Sequence, residues 1–166
     1  VYGDKNSLES SFVNFAKLVT DEVFVRKGLN IKGKTFAINE TADFFAKNIR
    51  IEKGNYLFDV VTPNSDLDNI ELSMPGDHNV LNALAALAMA NTYGISLQNI
   101  AISLKSFKGI KRRFTFKIKT DDLVIIDDYA HHPTEIEAIY ETIKNLYPYD
   151  EVLAVFQPHL YSRTRD

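Results

Sequence analysis

The apolar positions change their period along the chain. In the first segment Leu8, Phe12, Phe15, Ala16 and Val19 recur at helical spacing, which predicts an amphipathic helix over Ser7–Val19. Short apolar runs follow. Val23–Val25, Thr35–Ile38 and Phe44–Ile51 read as strands, although Ala42–Lys47 is also compatible with a helical turn. Tyr56–Thr62 is a clearer strand, bounded by Asn55 and by Pro63-Asn64-Ser65, and Ile70–Ser73 is a further one. Together these runs predict a small antiparallel sheet.

The period then lengthens. Pro75-Gly76-Asp77 precedes a helix expected over His78–Asn91, with Val80, Leu84, Leu87 and Ala88 as its apolar stripe and Gly94 suited to its C-terminal cap. A second helix is expected over Leu97–Phe107. Gly109–Lys111 reads as a boundary, which divides the chain into units 1–109 and 110–166. Beyond it, Phe114–Lys119 and Leu123–Asp127 read as strands about the turn Thr120-Asp121-Asp122. Thr134–Tyr147 reads as a helix with Ile136, Ile139, Tyr140 and Ile143 on one face. Thr134 and Glu137 have capping-box spacing, and Pro148 stops the helix. Val152–Phe156 reads as a buried strand. Strand, helix and strand in that order predict a βαβ unit in a parallel sheet. The expected class is therefore α/β, with helices on a small antiparallel sheet followed by part of a Rossmann-like parallel sheet.

Composition narrows the class. Apolar residues make up 45% of the 166 and charged residues 25%, the balance of a globular chain rather than a disordered one. The net charge of −3 argues against a nucleic-acid binder, which usually carries a basic excess. With no cysteine, disulfides, thiolate metal sites and cysteine nucleophiles are excluded. No apolar run is long enough for a transmembrane helix, and no signal peptide opens the chain. Cytoplasmic residence is the expectation. Val1-Tyr2-Gly3 and Arg165-Asp166 read as cuts rather than natural ends.

Four short polar runs are candidates for chemistry. In Gly76–Ala83, Asn79 and Asn82 share one helix face, and a carboxamide offers one acceptor and two donors that match the edge of adenine. Helix capping by Asp77 and Asn79 accounts for the same residues. In Asp127-Asp128-Tyr129-Ala130-His131-His132-Pro133, the run follows an apolar strand and precedes a helix, where ligands of open α/β sheets sit. An aspartate there suits ribose hydroxyls or a metal-bound water, and histidines exchange protons near neutrality. A polar loop whose acids cap the next helix is the alternative. In Phe156–Arg165, His159, Arg163 and Arg165 would emerge beside that loop, and arginine recognises carboxylate or phosphate with two-pronged geometry. Lys111-Arg112-Arg113 is either a solvated linker or places an arginine over a phosphate. No phosphate loop, dinucleotide fingerprint, zinc-protease motif or nucleophile elbow occurs.

The same residues resemble the Mur ligase family, in its alanine-adding branch. The likeness lies in Gly-Asp-His-Asn-Val-Leu-Asn-Ala-Leu-Ala-Ala at 76–86, Lys-Arg-Arg-Phe at 111–114, Asp-Asp-Tyr-Ala-His-His-Pro-Thr-Glu at 127–135 and Phe-Gln-Pro-His-Leu-Tyr-Ser-Arg-Thr at 156–164. The murein tripeptide recycling ligases share the third run but differ at the fourth. The resemblance implies the later part of a central ATP-binding domain over 1–109 and the first part of a C-terminal Rossmann-like domain over 110–166. It implies ATP-dependent, ADP-forming ligation of L-alanine to UDP-N-acetylmuramate through an acyl phosphate, in peptidoglycan precursor synthesis. The cofactors it implies are ATP and Mg²⁺, with metal ligands and phosphate loop outside this chain, so the chain alone is expected to be inactive.

Carried over residue by residue, Asn79 and Asn82 would hold adenine with His78 beside it, Asp128 would hold the ribose, and Arg113 would meet the ATP phosphate when the domains close. Tyr129, His131, His159 and Arg163 would line the alanine and acyl-phosphate side, with Arg163 on the alanine carboxylate. Arg113, His131 and His159 are the catalytic candidates. Leu160 stands where many family members carry a basic residue, so one substrate charge comes from elsewhere or is dispensable. A non-catalytic nucleotide-sensing or interaction module on the same scaffold is the alternative of a different class. Neither nucleic acid nor a membrane is an expected partner.

Overall fold

The structure is a computed structural model and describes residues 4–52 and 54–158. A helix, α1 (Lys5–Ala16), opens it, and its N-cap Asp4 accepts the Ser7 N–H at 2.8 Å. Its apolar positions are only part-buried or exposed among the described residues. No residue of α1 is buried, and Phe12 and Phe15 are exposed.

Five strands follow: β1 (Phe24–Arg26), β2 (Lys34–Ile38), β3 (Phe44–Glu52), β4 (Asn55–Val61) and β5 (Asp66–Leu72). They form one sheet in sequence order. The antiparallel expectation holds for β3–β4 and β4–β5 only. β1–β2 and β2–β3 are parallel, so the sheet is mixed. Neighbouring parallel strands usually need a long crossover. Here the strands are short and the links double back. Asn39 adopts a left-handed conformation (φ 54°) and donates to the Ala46 carbonyl at 2.8 Å. The Asp43 carboxylate accepts both the N–H and the hydroxyl of Thr35 at 2.7 Å. Ala42–Lys47 is thus loop and strand, not a helical turn.

Two helices cover one face of the sheet, α2 (Asp77–Thr92) and α3 (Leu97–Ser106). The predicted stripe of α2 is buried in full: Val80, Leu84, Leu87 and Ala88 are 0% exposed. They meet Phe58, Val60, Ile70 and Leu72 of the sheet and Leu97 and Ile100 of α3. Each large side chain buried this way contributes roughly 1.5–3 kcal/mol, so α2 is anchored where α1 is not. Gly94 (φ 90°) ends α2. Its N–H meets the Asn91 carbonyl and that of Ile95 the Ala90 carbonyl, the double bond of a Schellman cap.

After Gly109 (φ 80°), β6 (Thr115–Lys119) and β7 (Val124–Asp127) form an antiparallel hairpin, and α4 (Pro133–Leu146) follows. The cap of α4 lies two residues before the expected one. His132 is the N-cap and Glu135 completes the box, because Pro133 at the first helical position commits the chain to a helix there. Val152–Phe156 is not a strand. Leu153 and Val155 are about nine-tenths exposed, and the described residues contain no parallel sheet beyond β1–β3. An apolar run becomes a strand only when a neighbour satisfies its backbone groups, and none lies beside this one among the described residues. No helix among them is long and apolar enough to cross a membrane.

Candidate functional site

The first turn of α2 is presented by an unusual backbone. Its N-cap is Gly76 (φ 103°, ψ 140°), which makes no side-chain cap. A Cβ on Gly76 would lie 2.8 Å from His78 Cε1 and 2.8 Å from Thr142 Oγ1, so glycine is required by both conformation and space. Thr142, in α4, is 3% exposed. The buried Tyr56 hydroxyl meets the Asn145 side chain and the Gly76 backbone, and burial pushes its pKa up. α4 thus docks against the turn that starts α2.

Neither Asp77 nor Asn79 caps α2. Asn79 is 8% exposed, and its amide donates to the Pro75 carbonyl at 2.7 Å. One acceptor and one further donor of the carboxamide stay available in principle. His78 is half-buried. Burial lowers its pKa below the ordinary 6.5, the Asp128 charge opposes that shift and the Arg113 charge adds to it.

The segment after α3 is the second wall. Arg112 (φ 62°) and Phe114 (φ 46°) both have left-handed backbones, uncommon for such side chains. Asp128 holds this shape. Its Oδ2 accepts the Phe114 N–H at 2.7 Å and its Oδ1 the Ala130 N–H at 2.7 Å. Tyr129 N–H donates to the Arg112 carbonyl at 3.0 Å. The basic run separates by role. The Arg112 guanidinium lies 5.2 Å over the Tyr129 ring and 3.8 Å from Asp127, while Arg113 faces a cavity.

That cavity has a volume of about 610 Å³ and lies between α2, α3 and the 110–114 segment. His78, Asn79, Asn82, Arg113 and Asp128, singled out from three separate stretches of sequence, all line it. Polar groups collect at the end where α2 begins. The rest of the wall is Ala86 and Ala90 of α2 with Ile95, Asn99 and Ser103, and Leu104 lies nearer the start of α2, where the Ser73 hydroxyl donates to the Lys105 carbonyl. The α3 side of this wall was not singled out from sequence. Its only signal was the amphipathic pattern of Leu97–Phe107.

Tyr129 and His131 do not line the cavity. Their rings meet edge to face at 5.3 Å, and His131 Nδ1 lies 3.1 Å from the Tyr129 carbonyl and 3.6 Å from Glu135 Oε2. Glu135 also escaped sequence reasoning as a site-shaping residue. Its carboxylate accepts the N–H groups of His131 and His132, which hold its pKa below the usual range. His159 and Arg163 lie outside the described residues. Among the described residues no three metal-ligating side chains converge, so these residues do not by themselves fit the Mg²⁺ that the resemblance implies.

Comparison with known proteins matches this arrangement to a family. Residues 6–90 match the Mur ligase middle domain, and residues 112–166 match the domain described as Mur ligase, glutamate ligase domain. The chain is 54% identical over 168 residues to the UDP-N-acetylmuramate–L-alanine ligase of Christiangramia forsetii, across 100% of this chain and 37% of that protein. Identity to the protein of that name from Flavobacterium psychrophilum is 52%, across 100% of this chain and 38% of the relative. This chain therefore spans little more than a third of the length of these relatives. Among solved structures, UDP-N-acetylmuramate–alanine ligase MurC from Thermotoga maritima superposes with a TM-score of 0.81 at 26% identity, covering 94% of this chain and 37% of that one. MurF from Acinetobacter baumannii shares the fold, with a TM-score of 0.73 at 24% identity over 87% of this chain and 34% of that one. The middle-domain match alone takes in just over half of the residues, and the chain belongs to the Mur ligase family.

Proposed function

We propose that this chain is the adenine and ribose side of a ligase that joins L-alanine to UDP-N-acetylmuramate with cleavage of ATP to ADP. The observation that carries the reading is convergence: His78, Asn79, Asn82, Arg113 and Asp128 all line one cavity. A carboxamide pair engages the adenine edge as acceptor and donor, and guanine presents the opposite pattern there. His78 lies beside the base, and its burial disfavours the charged ring. Asp128 keeps acceptor capacity beyond its two backbone bonds, because a carboxylate has about four lone-pair sites, and this suits ribose hydroxyls.

In the ligase reaction a substrate carboxylate oxygen attacks the γ-phosphorus of ATP, and ADP leaves. The alanine amine then attacks the carbonyl of the acyl phosphate, loses a proton and expels phosphate. Such steps rest on positioning and on neutralising phosphoryl charge. Arg113, at the polar end of the cavity, supplies one positive charge to the phosphates. Tyr129 and His131 stand outside the cavity, on the loop that Asp128 begins, and form the alanine side together with His159 and Arg163. Units 1–109 and 110–166 are the two domains that meet across the cavity. Mg²⁺ comes with the nucleotide and with residues beyond those described. The reaction's soluble substrates suit a cytoplasmic enzyme.

The test is a calorimetric titration with ADP against GDP, repeated with Asn79→Ala. Adenine-selective binding that falls about 10- to 100-fold in the variant is expected, the worth of about 1–3 kcal/mol for a bidentate base contact. Equal affinity for ADP and GDP would sink the base-site reading.

A further inference from the structure

The cavity is longer than a nucleotide base. His78, Asn79, Asn82, Ala83, Ala86 and Ala90 on its wall are one face of α2, and from His78 to Ala90 they span about 18 Å at 1.5 Å per residue. The polar groups occupy only the first turn and a half of that length. Its volume of about 610 Å³ falls within the range of about 300–1,000 Å³ typical of drug-sized ligands. The remaining arm is lined on the α2 side by alanines, whose small side chains leave the space open. Across from them Ile95 supplies an apolar wall, whereas Leu104 and Phe107 lie back towards the start of α2, where the Ser73 hydroxyl donates to the Lys105 carbonyl at 2.8 Å. Ala86 and Ile95 are exposed, so this surface is wetted when the arm is empty. Asn99 and Ser103, one turn apart on α3, put polar groups into the same wall, and the Ser103 hydroxyl is tied to the Asn99 carbonyl at 3.0 Å.

We propose that this arm is a second subsite, continuous with the base site, that binds a flat apolar group carried on the exocyclic nitrogen of adenine. The inference rests on the base-site reading above. If the Asn79–Asn82 pair engages that nitrogen, it lies against α2. The cavity continues from there along α2 past Ala86 to Ala90, which gives a substituent on that nitrogen room to lie. An N6-aralkyl adenine nucleotide is therefore accepted, and its ring replaces water in the groove.

The test uses the 166-residue chain with ADP, N6-benzyl-ADP and GDP, read by calorimetry and by the alanine methyl resonances. N6-benzyl-ADP is expected to bind about tenfold more tightly than ADP, the return of burying one aromatic ring in a preformed groove. It shifts the Ala86 and Ala90 methyls, and ADP leaves Ala90 in place. Ala86→Phe, and Ala86→Met as a milder second variant, fill the groove and abolish the advantage of the benzyl compound over ADP. Adenine-selective binding in which the benzyl compound is tenfold weaker than ADP, or leaves the Ala90 methyl unmoved, overturns the subsite and spares the base site. Binding of ADP no tighter than GDP overturns the base site, and the subsite in this form with it.

Discussion

The Asp128 carboxylate accepts the backbone N–H of Phe114 at 2.7 Å, and that bond joins the opening segment of the second unit to the loop before α4. Phe114 is 5% exposed and has a left-handed backbone, so its N–H is withdrawn from water and needs this acceptor. Asp128→Asn leaves one carboxamide oxygen for the Phe114 and Ala130 N–H groups and turns an N–H donor towards the other. The expected cost is about 1–3 kcal/mol. Amide exchange at Phe114 then speeds by tenfold or more, and Asp127→Asn, which accepts no such bond, leaves it slow. Unchanged protection at Phe114 in Asp128→Asn would show that the carboxylate does not hold the segment.

Gly76 and Gly28 both have positive φ, 103° and 92°, but different surroundings. A Cβ at Gly28 meets nothing within 4 Å, and one at Gly76 meets His78 and Thr142 below 3 Å. Gly28→Ala is expected to cost only the backbone strain, about 1–3 kcal/mol. Gly76→Ala adds overpacking, for about 2–5 kcal/mol in all, and displaces His78 and Asn79 from the base site. Thermal unfolding and ADP titration of the two variants separate the effects. Equal destabilisation with ADP affinity kept in both would refute the steric account of Gly76.

Much of this was legible because the strongest signals were local. The α2 stripe of Val80, Leu84, Leu87 and Ala88 is both periodic and buried, and Gly94 caps where a glycine should. The five cavity residues were visible because each stands in a polar run that packing alone does not require. The misreadings concern partners. Parallel pairing of β1–β3 depends on how loops such as 39–43 fold back, which periodicity does not encode. Leu153–Phe156 carries a strand's apolar content, but no neighbouring strand is present among the described residues to pair with it. Asn99 and Ser103 were not singled out, and only the packing of α3 beside α2 brings them to a cavity wall.

His78 offers a titration test. Burial disfavours its charged form, so its folded pKa lies below 6.5. Between 6.5 and that lower value the unfolded chain takes up a proton that the folded chain refuses. Stability is therefore complete above pH 6.5 and declines as pH falls through the folded value. The His78 Cε1 proton should titrate in NMR with a midpoint below 6.5. Asp128→Asn should lower the midpoint further, and Arg113→Gln should raise it. A midpoint at or above 6.5 would mean that the ring is better solvated than its burial implies.

Acid stability should depend on one buried carboxylate in the sheet. Asp59, 9% exposed, sits where β4 slips register against both neighbours, between Lys47 and Arg50 on β3 and between Phe58 and Val60 on its own strand. Its two oxygens accept the Asn48 amide at 2.8 Å and the Asn69 N–H at 2.9 Å, and both asparagines have left-handed backbones (φ 53° and 60°). The Asn48 bond, then the Asn69 bond, hold its pKa below 3.8. Its contribution is therefore complete above the unfolded value of 3.8 and is lost as pH falls through the lower folded one. Asp43, held down by the Thr35 hydroxyl and N–H, behaves alike in the same range. Asp59→Asn should remove part of the slope of stability against pH below 4, and Asn48→Gly, which keeps the backbone shape and loses the bond, should remove less. A double-mutant cycle for this pair is expected to give a coupling of about 1 kcal/mol or more at pH 7 that is smaller at acid pH, where the carboxylate takes up its proton. A coupling that is the same at both pH values would mean that the bulges, and not the carboxylate, fix the two asparagines.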